Sequence, residues 1–170
     1  MERFINIIYF GIFKILKKSN EPIKRLERWS YNKSFIKRRL AKFGYTPESA
    51  SELNERVYND PEGGWNSHFA MGWVIFALFF LILLIETFFR KYIVNLNFPS
   101  DLIFVIEIAV IFMAIYHSVY KKKKVGNVRK EKYLFYFDEF ERKPHKTKVC
   151  YGIISVLMLV APLAVGFYVF

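Results

Sequence analysis

Residues 69–89 read FAMGWVIFALFFLILLIETFF, and the interpretation of the whole chain starts from this stretch. Its first 17 residues, Phe69–Ile85, carry no charge. A helix over the full stretch, at ~1.5 Å per residue, matches the ~30 Å hydrocarbon layer of a bilayer. The stretch therefore predicts a membrane-spanning helix.

Two further stretches have the same character. Val149–Phe170 has no charged side chain in 22 residues, and Leu102–Tyr120 is interrupted by Glu107 and His117. A chain of 170 residues could hardly bury three such helices in a soluble core. We therefore predict an all-α integral membrane protein. Its domains are a basic cytoplasmic region, 1–65, and a membrane domain, 66–170, with spans near 69–89, 102–120 and 149–170.

The basic residues give this protein an orientation. Residues 1–65 hold 13 Lys and Arg against 8 Asp and Glu, and residues 121–148 hold 11 against 4. The link between the first two spans has Arg90 and Lys91. Positively charged flanks remain on the cytoplasmic side. We expect the bacterial inner membrane, with the N-terminus and loop 121–148 inside and the C-terminus outside.

The N-terminal apolar run, Phe4–Phe13, is too short to span a bilayer. Lysines follow it closely, so we predict an in-plane amphipathic helix with cations toward anionic headgroups. The predicted headgroup contacts are Lys14, Lys17 and Lys18, together with Lys121, Lys122, Lys123 and Lys124 after the second span.

Apolar residues at three-to-four spacing predict short amphipathic helices in the cytoplasmic segments. Thr46–Pro47 has the cap-then-proline pattern of a helix start. The apolar sets are Ile23, Leu26 and Trp29; Phe35, Ile36, Leu40 and Phe43; Leu53 and Val57; and Tyr133, Tyr136, Phe137 and Phe140.

Glu107 is the most unusual residue of the predicted spans, about 9 Å below the outer boundary at ~1.5 Å per residue. A charge there costs at least ~2.5 kcal/mol unless it is shielded. Ser118 shares its side of the helix, and Glu86 could pair with Arg90 at i,i+4. These four residues are candidate intramembrane interaction sites. Glu107 could serve a proton, an ion or a partner's cation, or it could lock helix packing.

The third stretch carries small residues and a proline at three-to-four spacing: Gly152, Ser155, Pro162 and Gly166. Small residues let helix backbones approach closely. The stripe predicts either packing among the three spans or a docking face for another subunit.

The sequence offers few candidate residues for catalysis or metal binding. Cys150 has no second cysteine to pair with, and His68, His117 and His145 lack neighbours at metal-ligand spacing. We find no nucleophile–base arrangement and no phosphate-binding glycine loop. We therefore expect no enzyme, no metal and no cofactor. Topology and anionic lipid account for the basic tracts, so we expect no nucleic-acid partner.

These observations favour a non-enzymatic accessory or structural subunit of a membrane assembly, acting through helix–helix contacts. An immunity-type protein is one variant of this hypothesis. The alternative is an oligomeric channel or transporter subunit with Glu107 facing its pathway. The expected partners are a bilayer with an anionic inner leaflet and other membrane subunits or further copies of the chain.

Overall fold

The computed structural model describes residues 1–92, 100–125 and 128–169, with side chains described outside 89–104, 125–128, 162, 163 and 165–169. In these residues the regular structure is helical apart from one hairpin, which confirms the predicted helical class. The elements are α1 (Glu2–Ser19), α2 (Glu21–Tyr31), α3 (Ser34–Lys42), α4 (Pro47–Asn59), α5 (Trp65–Tyr92), α6 (Ser100–Ile115), a π-helical turn (Tyr116–Tyr120), β1 (Lys122–Val125), β2 (Val128–Glu131), α7 (Lys132–Glu141) and α8 (His145–Val169).

The chain falls into two compact units. The first unit comprises Met1–Ile12 and Met71–Phe170, and the second comprises Phe13–Ala70. The boundaries between the units lie within α1 and α5. Both helices therefore contribute residues to each unit.

The three predicted spans coincide with helices but differ in length. Trp65–Phe88 is long and apolar enough to cross a membrane, while the apolar part of the second, Val105–Tyr120, is shorter. Within the described residues, Trp65–Phe88 is the one helix that meets both criteria. This helix is compatible with membrane insertion, and the three-span arrangement goes beyond what helix length and apolarity support.

The short helices of the second unit begin and end as their sequence dictates. Thr46 caps α4 because its side chain accepts a hydrogen bond from the Ser49 N–H, while Ser49 Oγ accepts one from the Thr46 N–H. Gly44, at φ 77°, ends α3, where the Tyr45 N–H bonds to the Leu40 carbonyl. The predicted helices of this region are thus confirmed.

Helix α1 has a different environment from the one predicted. Ile5, Ile8, Tyr9, Phe10 and Ile12 are all buried by protein. The prediction that the apolar side of α1 lies on lipid is therefore wrong. The reason is that apolar residues surround the helix on most sides, which suits a core helix as well as a membrane surface.

Aromatic rings join α1 to α7. The Tyr9 ring lies 5.4 Å from that of Tyr133 and 5.0 Å from that of Phe137, and Phe10 lies 5.5 Å from Phe140. Such pairs add about 0.5–1.5 kcal/mol each beyond area burial. The helix predicted over these α7 aromatics is confirmed. Of these aromatic residues, Tyr133, Phe137 and Phe140 are buried by protein.

Helices α1 and α8 approach closely at Gly11. A Cβ atom at this position would lie 2.0 Å from Ser155 Oγ and 2.8 Å from the Tyr151 carbonyl oxygen. Ser155 is fully buried, and its hydroxyl oxygen lies 3.2 Å from the Ile8 carbonyl oxygen of α1. Only a residue without a side chain permits this approach.

We predict that Gly11→Ala destabilises the protein by about 1–3 kcal/mol, because the new methyl group meets a backbone carbonyl as well as a side chain. Gly152→Ala is the matched control, since its Cβ would have no heavy atom within 4 Å. Because alanine favours a helix more than glycine does, this control should be as stable as the wild type or more stable by up to ~1 kcal/mol. Denaturant unfolding in detergent measures both. Equal effects of the two substitutions would contradict the close contact.

Candidate functional site

Polar side chains of the first unit converge where α6 ends in the π-helical turn. We call this set, Glu2, Asn6, His117, Ser118, Lys132 and Tyr136, the polar junction. The last carbonyls of a helix lack intrahelical partners. Asn6 Nδ2 donates to the Ser118 carbonyl at 2.8 Å, and Lys132 Nζ donates to the His117 carbonyl at 3.0 Å. Side chains from α1 and α7 thus donate hydrogen bonds to carbonyls at the end of this helix.

Glu2 forms the charged part of the polar junction. Its carboxylate accepts hydrogen bonds from Lys132 Nζ at 2.7 Å and from the Tyr136 hydroxyl at 3.1 Å. Partial burial acts to raise the pKa of Glu2, but the bonds from Lys132 and Tyr136 outweigh it and lower the pKa below 4.5. Burial, and then the bond to Glu2, raise the pKa of Tyr136. The polar junction therefore holds an ionised carboxylate at neutral pH.

A second ion pair joins the same helices. Arg3 lies 2.7 Å from Glu139, and its guanidinium carbon lies 5.9 Å from the centre of the Phe140 ring. Both charged side chains remain partly exposed, so the pair contributes little by itself. Its geometry orients the start of α1 over α7.

The predicted intramembrane residues lie in different environments. Glu107 is buried, with 8% of its surface exposed, and Glu86 is half-buried. The side chain of Arg90, the predicted partner of Glu86, is outside the described residues. Ser118 is buried in the polar junction. The structure thus covers Glu107 and Ser118 with protein, as their polarity requires in an apolar segment.

The small residues of the third stretch separate into two groups. Ser155 packs against α1 at Gly11, whereas Gly152 faces open space. Pro162 and Gly166 lie in the part of α8 whose side chains are outside the described residues. Gly11 is therefore the partner of the stripe that sequence reasoning missed. The signal was available as a lone glycine within the apolar run Phe4–Phe13.

The lysines that we predict to contact lipid headgroups lie in two parts of the structure. Lys17 of the second unit lies 3.7 Å from Glu55, and Lys18 is exposed. Lys122–Lys124 form β1, which pairs with β2 in antiparallel register. The contact of these lysines, and of Lys14 and Lys121, with lipid stays a prediction.

The hairpin concentrates positive charge. Lys123 stands opposite Lys130, and Lys124 stands opposite Arg129, while Lys122 faces Glu131. Like charges at directly opposed positions destabilise a strand pair. An anionic surface nearby would therefore favour this hairpin.

Helix α2 in the second unit packs through polar groups. Lys24 makes ion pairs with Glu55 of α4 and, at 3.2 Å, with Glu21. Burial acts to lower the pKa of Lys24, but hydrogen bonds to Glu55 and Glu21 outweigh it and raise the pKa. Asn54 Nδ2 donates to the Tyr31 hydroxyl at 2.6 Å, and a cavity of about 100 Å³ lies beside these groups. The contact between α2 and α4 is thus mainly polar.

Amide side chains continue this polar packing. Asn20 Nδ2 donates to Asn66 Oδ1 at 3.1 Å, and Asn66 Nδ2 donates to Asn59 Oδ1 at 2.6 Å. This chain of amides joins the start of α5 to α4. Sequence reasoning missed it, since asparagines separated by up to 46 residues carry no local spacing signal.

Metal-binding side chains are dispersed in the part of the chain that the structure describes. Among the described residues, no group of three or more His, Cys, Asp or Glu could hold a metal ion. The polar junction holds one carboxylate against a lysine and a tyrosine, an arrangement that fixes helices in place.

We predict that Glu2→Gln lowers stability at neutral pH by up to about 1 kcal/mol. A carboxyl whose folded pKa is lowered stabilises the protein above its unfolded pKa. That contribution is lost as pH falls through the folded pKa of Glu2, below 4.5. The wild type and Glu2→Gln should therefore converge in acid when unfolding is followed across pH. The exposed Glu52→Gln is the control, and a constant difference at all pH values would contradict the ion pair.

Comparisons with protein-family models, with curated proteins and with solved structures found no match to this chain. Its function must therefore be inferred from its own residues and their arrangement.

Proposed function

We propose that this chain is a non-enzymatic integral membrane protein, an accessory or structural subunit that works through helix–helix contacts. In this proposal α5, α6 with its π-helical turn, and α8 are the three spans. One observation carries the proposal: each of these helices exposes large apolar side chains. Large apolar side chains exposed in such numbers along a helix are typical of membrane or protein contact.

Helix α6 exposes apolar residues and buries an acidic one, and this arrangement supports membrane insertion. Val105 and Met113 are exposed by more than 60%, while the carboxyl of Glu107 is buried. A helix on the surface of a soluble protein has the opposite arrangement, with apolar groups inside. A helix in lipid turns ionisable groups toward protein. Among the described side chains, α6 exposes Val105, Ile106, Val110, Phe112 and Met113, and the π-helical turn exposes Tyr116.

Helices α5 and α8 extend the same argument. Within the most apolar window of α5, 22% of the residues are buried, which is far less than a soluble core helix requires. Among the α8 side chains that the structure describes, the one buried side chain is that of polar Ser155, while Ile153, Val156 and Leu157 near it are exposed. The exposed residues are Trp73, Phe76, Ile85 and Phe88 of α5, and Val149, Ile153, Val156, Leu157 and Val160 of α8.

The charge distribution supports the orientation in this proposal. The hairpin and its flanks carry Lys122, Lys123, Lys124, Arg129 and Lys130 directly after α6. Such a cluster remains on the cytoplasmic side. We place the N-terminus and this hairpin at the inner face of a bacterial inner membrane, and the C-terminus outside.

The burial of Glu107 favours a packing role over a conducting one. A carboxylate that lines a pathway must be accessible, whereas this one is covered within a single copy of the chain. The apolar faces of α5, α6 and α8 remain available to lipid and to partner subunits. This combination supports the accessory role.

The test is in-membrane crosslinking followed by mild-detergent purification of the full chain. We predict an assembly larger than the 20.3 kDa chain, resistant to alkaline carbonate extraction. Glu107→Gln should reduce its recovery at least about fivefold, equivalent to ~1 kcal/mol of association free energy. The exposed Glu48→Gln is the control for loss of one charge.

Two outcomes would contradict this function. A chain that stays monomeric under gentle crosslinking would remove the accessory role. A Glu107→Gln variant that keeps its assembly but changes the conductance of planar bilayers would assign the carboxylate to a pore.

A further inference from the structure

The amphipathic helix α2 packs against α4 through its polar side and exposes its apolar side. Its polar Lys24 faces α4 and pairs with Glu55, whereas Leu26 and Trp29 are 69% and 63% exposed. At about 100° per residue, Leu26 and Trp29 lie on the opposite side of the helix from Lys24. Because the polar side packs inward, the apolar side of α2 is available to contact another apolar surface.

Helix α3 and the residue after it also expose large apolar side chains. Phe35 is 73% exposed and Phe43, which follows its last residue, is 70% exposed. Neither α2 nor α3 contains a buried residue. We call the set Ile23, Leu26, Trp29, Phe35 and Phe43 the apolar face of the second unit. Its residues are large, and three of the five are aromatic.

Cations surround the apolar face. Residues 22–43 contain eight Lys and Arg and one acidic residue, Glu27. In the described part of the chain, Arg25 and Lys33 form no ion pair. Lys33 Nζ lies 3.9 Å from the centre of the Trp29 ring. Tryptophan beside unpaired cations suits the boundary between acyl chains and negatively charged headgroups.

We propose that the apolar face of the second unit binds the surface of an anionic bilayer. Leu26, Trp29 and Phe35 enter the headgroup–acyl boundary, and Arg25 and Lys33, which lie beside Trp29, contact lipid phosphate groups. This inference rests on the proposed membrane function, because the second unit includes the first turn of α5 and is therefore tethered to that span. The excess of cations over acids favours anionic lipid over an ordinary protein surface.

Tryptophan fluorescence separates this inference from the proposed function. One variant carries Trp65→Phe and Trp73→Phe, so that Trp29 alone reports on α2. A second carries Trp29→Phe and Trp65→Phe, so that Trp73 alone reports on insertion of α5. Each full-length protein is reconstituted into vesicles with brominated acyl chains, made of phosphatidylcholine alone or mixed with phosphatidylglycerol.

We expect bromine to quench Trp73 in both kinds of vesicle. Trp29 should be quenched at least twofold more in vesicles that contain phosphatidylglycerol, and high salt should reduce the difference. Arg25→Gln with Lys33→Gln should reduce Trp29 quenching without affecting Trp73. Arg142→Gln with Lys146→Gln, two exposed cations removed elsewhere, should leave Trp29 quenching unchanged.

Each contrary result has a distinct meaning. If Trp73 is quenched but Trp29 is not, the surface contact is wrong and the apolar face belongs to a protein partner. Equal quenching of Trp29 in both kinds of vesicle overturns the preference for anionic lipid. Quenching of Trp29 without Trp73 overturns the proposed insertion of α5 and leaves the surface contact standing.

Discussion

The close approach of α1 to α8 is the constraint on which the first unit depends. At Gly11 the two backbones come so near that a methyl group would overlap Ser155 and the Tyr151 carbonyl. That approach brings Phe10 within ring contact of Tyr151, while Phe140 lies 5.0 Å from the same ring. The aromatic cluster in turn fixes α7, whose Lys132 donates a hydrogen bond to the His117 carbonyl in the π-helical turn. One small residue thus permits a continuous set of contacts from the N-terminus to α8.

Inverted polarity recurs in both units. Lys24 of α2 and Glu107 of α6 face protein, while Leu26 and Met113 of the same helices are exposed. Burying apolar groups stabilises a protein in water, so a soluble chain would reverse this arrangement. Inverted polarity is what a bilayer favours, because exposed apolar groups need no cover there while charged groups do. The proposed membrane location and the proposed surface contact both rest on this physical argument.

Sequence reasoning identified the helices better than their surroundings. Capping at Thr46 and the spacing of Tyr133, Phe137 and Phe140 are local features, and they predicted α4 and α7. The environment of Phe4–Phe13 could not be read locally, because lipid tails and a protein core are equally apolar. The hairpin escaped prediction since Lys122–Lys124 lack the β-branched residues and alternation typical of strands. Glu107 and Ser118 were correctly singled out as polar groups needing cover. Their burial is visible in the structure, and their role in assembly is a proposal.

Photocrosslinking from position 10 tests the central claim, that α1 is a core helix of the first unit. The full chain, carrying benzoylphenylalanine in place of Phe10, is irradiated in membranes and digested, and the crosslinked peptides are identified by mass spectrometry. The Phe10 ring lies 5.2 Å from that of Phe137 and 6.5 Å from that of Tyr151. We predict crosslinks to peptides of α7 and the start of α8. Crosslinks to lipid instead would return α1 to the membrane surface and contradict the account.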